Sequence, residues 1–214
     1  MPLLVNEIFY SIQGESIHSG RGCVFIRLAG CNLRCSYCDT KYAYYEGTEK
    51  KINHIINLVE EYKCNLIEIT GGEPLLQNKT PELTYRLLQK GYEVLMETNG
   101  SLDINRVDRR CVKIVDIKCP SSGESKKVDL ENLKKIDSKD QVKFVIINRY
   151  DYDYAKKIST LIDIKFPRSN ILFSPAAGEI SPAILAGWIL EDKLEVRLHL
   201  QIHKIIWPTV KRGV

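Results

Sequence analysis

The chain has 214 residues, 44% of them hydrophobic, and a formal net charge of +4. These values suit one globular domain with a sizeable core, so we expect residues 1–214 to form a single domain. The Lys and Arg residues are scattered, which disfavours nucleic-acid binding and favours small anionic partners. No apolar run is long enough to span a bilayer and the N-terminus does not resemble a signal peptide, so no membrane contact is expected.

Short runs rich in β-branched residues alternate along the chain with longer segments of helical periodicity. Seven strands are predicted, at 23–30, 66–72, 93–100, 112–118, 141–147, 170–176 and 197–204. Four helices are predicted between them, at 50–62, 80–91, 151–162 and 180–192. This alternation indicates a mostly parallel sheet with helices outside it. Because six or seven strands are too few to close an eight-stranded barrel, we predict an α/β fold with an incomplete, TIM-like barrel.

Several predicted strands end in chemically rich residues. Gly-Gly-Glu begins at residue 71, Glu-Thr-Asn-Gly at 97, Asp-Ile-Lys at 116 and Ser-Pro at 174. In parallel α/β sheets the carboxyl ends of the strands build the active site. We therefore expect these polar segments to converge on one mouth of the barrel.

The chain contains seven cysteines. An odd count without a signal peptide argues against a disulfide framework and favours a reducing, cytoplasmic location. Cys23, Cys64 and Cys111 lie in apolar segments, where a cysteine is most often a small buried side chain. The other four require a separate explanation.

The segment AGCNLRCSYCDTKY, residues 29–42, holds Cys31, Cys35 and Cys38 at a C-x3-C-x2-C spacing among polar residues. A zinc site would need a fourth ligand, and the candidates are Cys119, His54, His199 and His203. Three thiolates also suit a four-iron cluster, in which one iron keeps an open position for the amine and carboxylate of an exogenous molecule. We favour the open iron–sulfur cluster; zinc and structural thiols are the alternatives.

Two motifs together carry a family resemblance. The segment CNLRCSYCDT resembles the signature of the radical S-adenosylmethionine (SAM) enzymes, and GGEP at 71–74 resembles the segment with which they bind the cofactor's amino group. A narrower resemblance rests on EIFYSIQGES, ITGGEPLLQ, METNGS and LQIHKIIWP together with the cysteine segment. These stretches are similar to the 7-carboxy-7-deazaguanine synthase family, which acts in queuosine and 7-deazapurine biosynthesis.

The resemblance implies a partial barrel of the radical SAM type and a defined reaction. In that family, 6-carboxy-5,6,7,8-tetrahydropterin is contracted to 7-carboxy-7-deazaguanine with loss of ammonia. The implied cofactors are a [4Fe–4S] cluster, SAM and Mg²⁺. The implied partners are the pterin substrate, a second copy of the chain in a homodimer, and an electron donor such as flavodoxin or ferredoxin. Rival hypotheses are another radical SAM enzyme, such as a glycyl-radical activase, and a zinc or electron-transfer module.

The resemblance also assigns residues to the cofactors. Cys31, Cys35 and Cys38 are the implied cluster ligands, and Thr40 is the implied Mg²⁺ ligand, although the sequence alone favours a helix N-cap at its position. The implied SAM-binding residues are Tyr37, Cys38, Asp39, Gly72, Glu73, Glu97, Asp116, Ile117, Lys118, Ser174, Pro175, Ala176 and Ala177. For Glu73 we expect the carboxylate, or nearby backbone carbonyls, to accept from the cofactor's ammonium group. No side chain is clearly assignable as a catalytic acid or base.

A second set of residues is implied for the substrate. It comprises Ile12, Gln13, Gly14, Glu15, Arg27, Thr70, Gln201, His203 and Pro208. Arg27 lies on a predicted strand with apolar neighbours; facing inward it would need an anionic partner, which the substrate carboxylate supplies. Strand alternation alone allows the opposite, outward orientation equally.

Overall fold

The computed structural model describes all residues, 1–214. Nine strands form one sheet, in the order β3-β1-β2-β4-β5-β6-β7-β8-β9. They are β1 Leu3–Ile12, β2 Gly22–Leu28, β3 Thr48–Lys50, β4 Leu66–Gly71, β5 Glu93–Thr98, β6 Val112–Asp116, β7 Gln141–Ile146, β8 Ile171–Pro175 and β9 Arg197–Leu198. Because β3 and β9 are separate edges, the sheet is open, and the prediction of an incomplete barrel is confirmed.

The strands divide into a parallel set and an antiparallel extension. β2 and β4 to β9 run parallel to one another. They are the seven strands predicted from the sequence. β1 runs antiparallel to both β2 and β3, and neither β1 nor β3 was predicted.

Five α-helices accompany the sheet. They are α1 Ile52–Glu61, α2 Thr80–Gln89, α3 Arg149–Ser159, α4 Pro182–Glu191 and α5 Ile202–Ile206. The first four correspond to the predicted helices. The last predicted strand, 197–204, is wrong beyond Leu198: the backbone N–H of Ile202 donates to the carbonyl of Gly14 at 3.0 Å, and that of Trp207 donates to His203 at 2.8 Å. The first bond holds α5 against the loop after β1, and the second closes the last turn of α5. The chain beyond Leu198 therefore does not extend the sheet.

The two faces of the sheet have different chemistry because successive strand residues point to opposite sides. On the helix face, buried apolar residues of the strands and of α1 to α4 form a core cluster of 35 residues. In α1 this cluster takes Ile52, Ile55, Ile56 and Val59, at the spacing of one helical stripe. The opposite face, which we call the cavity face, carries Arg27, Thr70, Glu97, Asp116 and Lys143, and all five line a cavity.

None of the five α-helices is long and apolar enough to cross a membrane.

Candidate active site

The cavity lies at the carboxyl ends of the parallel strands and has a volume of about 850 Å³. Its walls come from the loop after β1, the cysteine loop after β2, the ends of β4 to β7, the loop after β8, and the C-terminal segment. This volume is at the upper end of the range for small-molecule sites. The predicted convergence of polar strand ends on one mouth is therefore confirmed for the segments that begin at residues 71, 97 and 116, but not for Ser-Pro at 174.

The three cysteines of the loop after β2 all line this cavity. The Cys31 sulfur accepts from the backbone N–H of Leu33 at 3.4 Å and lies 3.9 Å from the Asn99 side-chain amide. The backbone N–H of Cys38 donates to the Cys35 carbonyl at 3.2 Å, which folds the loop tightly. Donors around a sulfur stabilise a thiolate, the form that binds iron.

The zinc alternative is not supported by the arrangement of side chains. No group of three His, Cys, Asp or Glu residues is placed to hold one metal ion. Three of the four candidate fourth ligands lie away from the cysteines: Cys119 is buried in the core cluster, His54 is exposed on α1, and His199 is buried outside the cavity wall; only His203 lines the same cavity. Thiolates that bind different irons of one cluster need not approach as closely as ligands of a single ion, so the three cysteines fit a cluster better.

Gly71 and Gly72 bring the end of β4 against the start of the cysteine loop. The Gly72 N–H donates to the Leu28 carbonyl at 3.0 Å, and the Glu73 N–H donates to Gly30 at 2.8 Å. A Cβ at either glycine would overlap these backbone atoms, and Gly71 also has φ of +128°. Only glycine permits this close crossing, which joins the two predicted cofactor segments.

The Glu73 carboxylate does not reach the cavity, which corrects one expectation. Its side chain is completely buried and is absent from the cavity wall. The carboxylate accepts from the backbone N–H groups of Leu75 at 2.9 Å and Asn99 at 2.7 Å, and from the Thr98 hydroxyl at 2.8 Å. It ties the end of β4 to the end of β5, so an ammonium group of a ligand cannot use it directly.

Three further residues predicted to bind SAM lie behind the wall. Ile117 belongs to the core cluster on the helix face, and Ser174 and Pro175 are buried in β8 without lining the cavity. The side chains of these three residues therefore do not contribute to the cavity wall, and their assignment to SAM stays a prediction. The remaining residues of that set do line the cavity: Tyr37, Cys38, Asp39, Gly72, Glu97, Asp116, Lys118, Ala176 and Ala177.

Two polar atoms in this part of the cavity point to a ligand. The Tyr37 hydroxyl and Asp116 Oδ1 are buried without any hydrogen-bond partner. The other Asp116 oxygen is paired with the Lys118 ammonium at 2.8 Å. Since a buried polar atom without a partner costs free energy, a polar ligand between these groups and the cysteine loop would stabilise the site. The residues present therefore fit SAM bound beside an open cluster.

Thr40 follows the cysteine loop and lines the cavity. It precedes the short 3-10 helix Lys41–Tyr44, but its side chain makes no capping hydrogen bond. The hydroxyl instead donates to Asp39 Oδ1 at 2.9 Å, and Asp39 Oδ2 is paired with the Lys204 ammonium at 2.5 Å. The hydroxyl oxygen keeps lone pairs for a hard cation such as Mg²⁺.

All nine residues predicted to bind substrate line the same cavity. The loop after β1 is held by the C-terminal segment: the Gln201 amide donates to Glu15 Oε1 at 2.7 Å, and a Cβ on Gly14 would overlap the His203 ring. Pro208 lies on the wall together with Trp207 and Val210, which the sequence did not indicate. Two segments almost 200 residues apart in the chain thus form one surface.

Arg27 faces inward, so the outward orientation is excluded. Its side chain is 14% exposed, and its guanidinium carbon lies 5.6 Å from the Phe9 ring and 5.9 Å from the Tyr42 ring. Its Nε donates to Glu7 Oε1 at 2.7 Å, and its two terminal nitrogens have no hydrogen-bond partner. Glu7 thus supplies the counter-charge that a buried arginine needs, while the two terminal nitrogens of this cavity-lining residue remain as a fork suited to a carboxylate.

Lys143 is a central residue of the site that the sequence did not indicate. It is 5% exposed and its ammonium bonds to Glu15 at 2.8 Å, to Glu97, and lies 3.5 Å from Asp116. Burial opposes its charge, but these carboxylates hold the pKa of Lys143 well above its ordinary value. Burial likewise opposes ionisation of Glu15, yet Lys143 and the Gln201 hydrogen bond hold the pKa of that carboxyl well below its ordinary value.

Comparisons with known proteins identify the family. Residues 25–118 match the model of the radical SAM superfamily. The 7-carboxy-7-deazaguanine synthase of Koribacter versatilis is 41% identical over 98% of this chain and 99% of its own, and that of Chlorobaculum tepidum is 43% identical over 100% and 98%. The fold matches the crystal structure of QueE from Escherichia coli with a TM-score of 0.78, at 21% identity and 94% coverage of both chains. The chain belongs to the 7-carboxy-7-deazaguanine synthase family of the radical SAM superfamily.

Proposed function

We infer that the chain is a 7-carboxy-7-deazaguanine synthase, which contracts 6-carboxy-5,6,7,8-tetrahydropterin to 7-carboxy-7-deazaguanine with loss of ammonia. The cofactors are a [4Fe–4S] cluster, SAM and Mg²⁺. When bound beside Cys31, Cys35 and Cys38, the cluster and SAM would supply the radical chemistry of the reaction. The side chains of this protein bind, orient and enclose the reactants, as is usual where cofactors carry the difficult chemistry.

One observation carries this proposal: the three cysteines line the same cavity as Arg27, whose two terminal guanidinium nitrogens have no hydrogen-bond partner. We propose that Cys31, Cys35 and Cys38 hold the cluster, and that Arg27 binds the substrate carboxylate. Thr40, which lines the same cavity, would hold Mg²⁺. Fixing the substrate in this way matters because a misplaced radical would attack other groups.

The experiment that tests the function is turnover by the anaerobically reconstituted protein. With SAM, Mg²⁺, reductant and 6-carboxytetrahydropterin, we expect 7-carboxy-7-deazaguanine and ammonia in equal amounts, measured by mass spectrometry and an ammonia assay. Cleavage of SAM without any deazaguanine would assign the chain to another radical SAM reaction. A colourless protein with one tightly bound zinc ion would contradict the cluster itself.

Arg27→Leu is expected to weaken substrate use by about 10- to 100-fold in kcat/KM, because a charge-assisted contact is worth about 1.5–3 kcal/mol. With the wild-type protein, a tetrahydropterin that lacks the carboxylate should have a kcat/KM lower by a similar factor. With Arg27→Leu, removing the carboxylate from the substrate should not lower kcat/KM any further. Arg110→Leu is the control, since Arg110 is an exposed arginine paired with Asp108 at 2.7 Å. If Arg27→Leu lowers kcat/KM by the same factor for both substrates, recognition of the carboxylate by Arg27 is contradicted.

Further features of the assembly are part of the proposal. We propose that residues 1–214 act as a single domain, supported by the one sheet and its core cluster of 35 residues. We propose a homodimer, located in the cytoplasm, that receives electrons from a flavodoxin or ferredoxin. Light scattering of the reconstituted protein tests the dimer, and turnover with each purified donor in place of a chemical reductant tests the electron source.

A further inference from the structure

Glu68 is an acidic residue in the apolar floor of the cavity. Parallel pairing sets Glu68 of β4 beside Phe25 of β2 and Leu95 of β5, on the cavity face. Phe25 and Leu95 belong to a small apolar cluster with Cys23, Leu66 and Ile114. Glu68 is 4% exposed and yet lines the cavity. A carboxyl group in such a layer costs free energy unless it has polar partners.

The two oxygens of Glu68 have different surroundings. Oε2 accepts a hydrogen bond from the Gln13 side-chain amide, and Gln13 Oε1 in turn accepts from the backbone N–H of Glu15 at 3.0 Å. Oε1 of Glu68 has no hydrogen-bond partner and is not among the fully enclosed polar atoms. One oxygen therefore holds the loop after β1, and the other is open to the cavity.

The charges around Glu68 favour its neutral form. The titratable groups that face it are Glu97 of β5, Glu15 of the loop after β1, Lys143 of β7 and the Cys23 thiol of β2. Burial, followed by the negative charges of Glu97 and Glu15, raises the pKa of Glu68 to about 8, against the opposing hydrogen bond from Gln13 and the charge of Lys143. Below that pH the carboxyl group can donate as well as accept a hydrogen bond.

We propose that Glu68 is a further substrate-binding residue: Gln13 holds its Oε2, and its Oε1 bonds to the pyrimidinone edge of the pterin. That edge offers a carbonyl oxygen, ring nitrogens and N–H groups, which a carboxyl group on the floor of the cavity can pair. Arg27 is two residues beyond Phe25 on the same face, so it lies one layer nearer the mouth. The substrate then enters ring first, with its carboxylate outermost. This inference rests on the proposed function.

The test is binding of 6-carboxytetrahydropterin to the anaerobic, cluster-loaded protein with SAM and no reductant, measured by calorimetry so that no turnover occurs. At pH 7 we expect Glu68→Leu to bind about tenfold or more weakly. Glu68→Gln keeps an oxygen for Gln13 and presents an N–H donor, so its affinity should stay within about threefold of wild type. Glu68→Gln also keeps the test valid if the leucine variant does not fold.

Gln13→Leu separates contact with the substrate from support of the loop. If Glu68 touches the substrate, adding Glu68→Leu to Gln13→Leu should weaken binding by about a further tenfold. No further loss in that double variant would show that Glu68 acts only by positioning the loop, and would overturn the proposal. Wild-type protein that neither binds nor converts the pterin would instead overturn the proposed function, and this inference with it.

The pH dependence of binding is a second readout. If the neutral acid donates to the ring edge, wild-type affinity should fall as the pH rises through about 8, while Glu68→Gln should lack this fall. The same fall in both proteins would assign it to another group and overturn the donor function of Glu68.

Discussion

Replacing Lys143 by methionine is expected to cost about 3–5 kcal/mol of folding stability and to abolish detectable turnover. The substitution keeps most of the side-chain volume but removes the only ammonium bonded to both Glu15 and Glu97. Taking one partner out of a buried ion pair leaves uncompensated charge, which accounts for that cost. Glu15 belongs to the proposed substrate surface and Asp116 to the proposed SAM surface, so repulsion among the carboxylates should displace both.

The sign of the pH effect follows from the same charges. Without Lys143, burial and mutual repulsion raise the folded-state pKa of the remaining carboxyls above their values in the unfolded chain. Such groups destabilise the folded state once the pH exceeds their pKa values in the unfolded chain. The loss of folding stability in Lys143→Met should therefore be largest at neutral pH. It should shrink under acidic conditions, where protonation removes the buried charges. Thermal melting of wild type and variant across pH measures the difference.

Lys113→Met is a matched control because Lys113 is also a buried lysine on a neighbouring strand. It is 4% exposed and pairs with Asp140 at 2.9 Å, and neither residue lines the cavity. We expect a comparable loss of stability but near-normal SAM and substrate affinity in the protein that remains folded. If Lys143→Met binds SAM and the pterin as tightly as Lys113→Met does, Lys143 has no part in organising the site.

The parallel half of the fold was predictable because its strands are compact apolar runs bounded by polar residues. β4, for example, is buried at five of its six positions. β1 was missed because it is only half buried and mixes polar with apolar residues, and β3 was missed because it is three residues long and mostly exposed. Both owe their conformation to pairing across the sheet, which a local pattern does not contain.

The site divides in a similar way. Cysteine spacing and the glycine-rich strand end are local motifs, and the structure places both at the cavity. Glu68 and Lys143 are single charged residues inside strands, between apolar neighbours such as Ile67 and Ile69. Alternation shows that such a residue faces away from the core, but not that carboxylates of β5, β6 and the loop after β1 meet at Lys143. Glu73 shows the converse: it belongs to a motif, but its carboxylate is used in hydrogen bonds to Thr98 and Asn99 inside the fold.

Cys35→Ala is expected to eliminate turnover, with most of the iron and sulfide lost after anaerobic reconstitution. Cys35 is 9% exposed and lines the cavity with Cys31 and Cys38. The proposed cluster has no fourth thiolate to replace it, since Cys119 is buried in the core on the helix face. Two thiolates do not hold a four-iron cluster in the way that three with one open iron do. Iron, sulfide and visible absorption before and after adding SAM measure the outcome.

Cys64→Ala removes a comparable thiol from outside the site. Cys64 is partly buried, its sulfur lies 3.3 Å from the Gly22 carbonyl oxygen, and it does not line the cavity. We expect that variant to keep its iron, its spectral response to SAM and its activity. Full iron and a normal SAM response in Cys35→Ala would contradict the ligand assignment. Retained iron without a SAM response would mean that another group had filled the open position, and the chemistry depends on that position staying free for the cofactor.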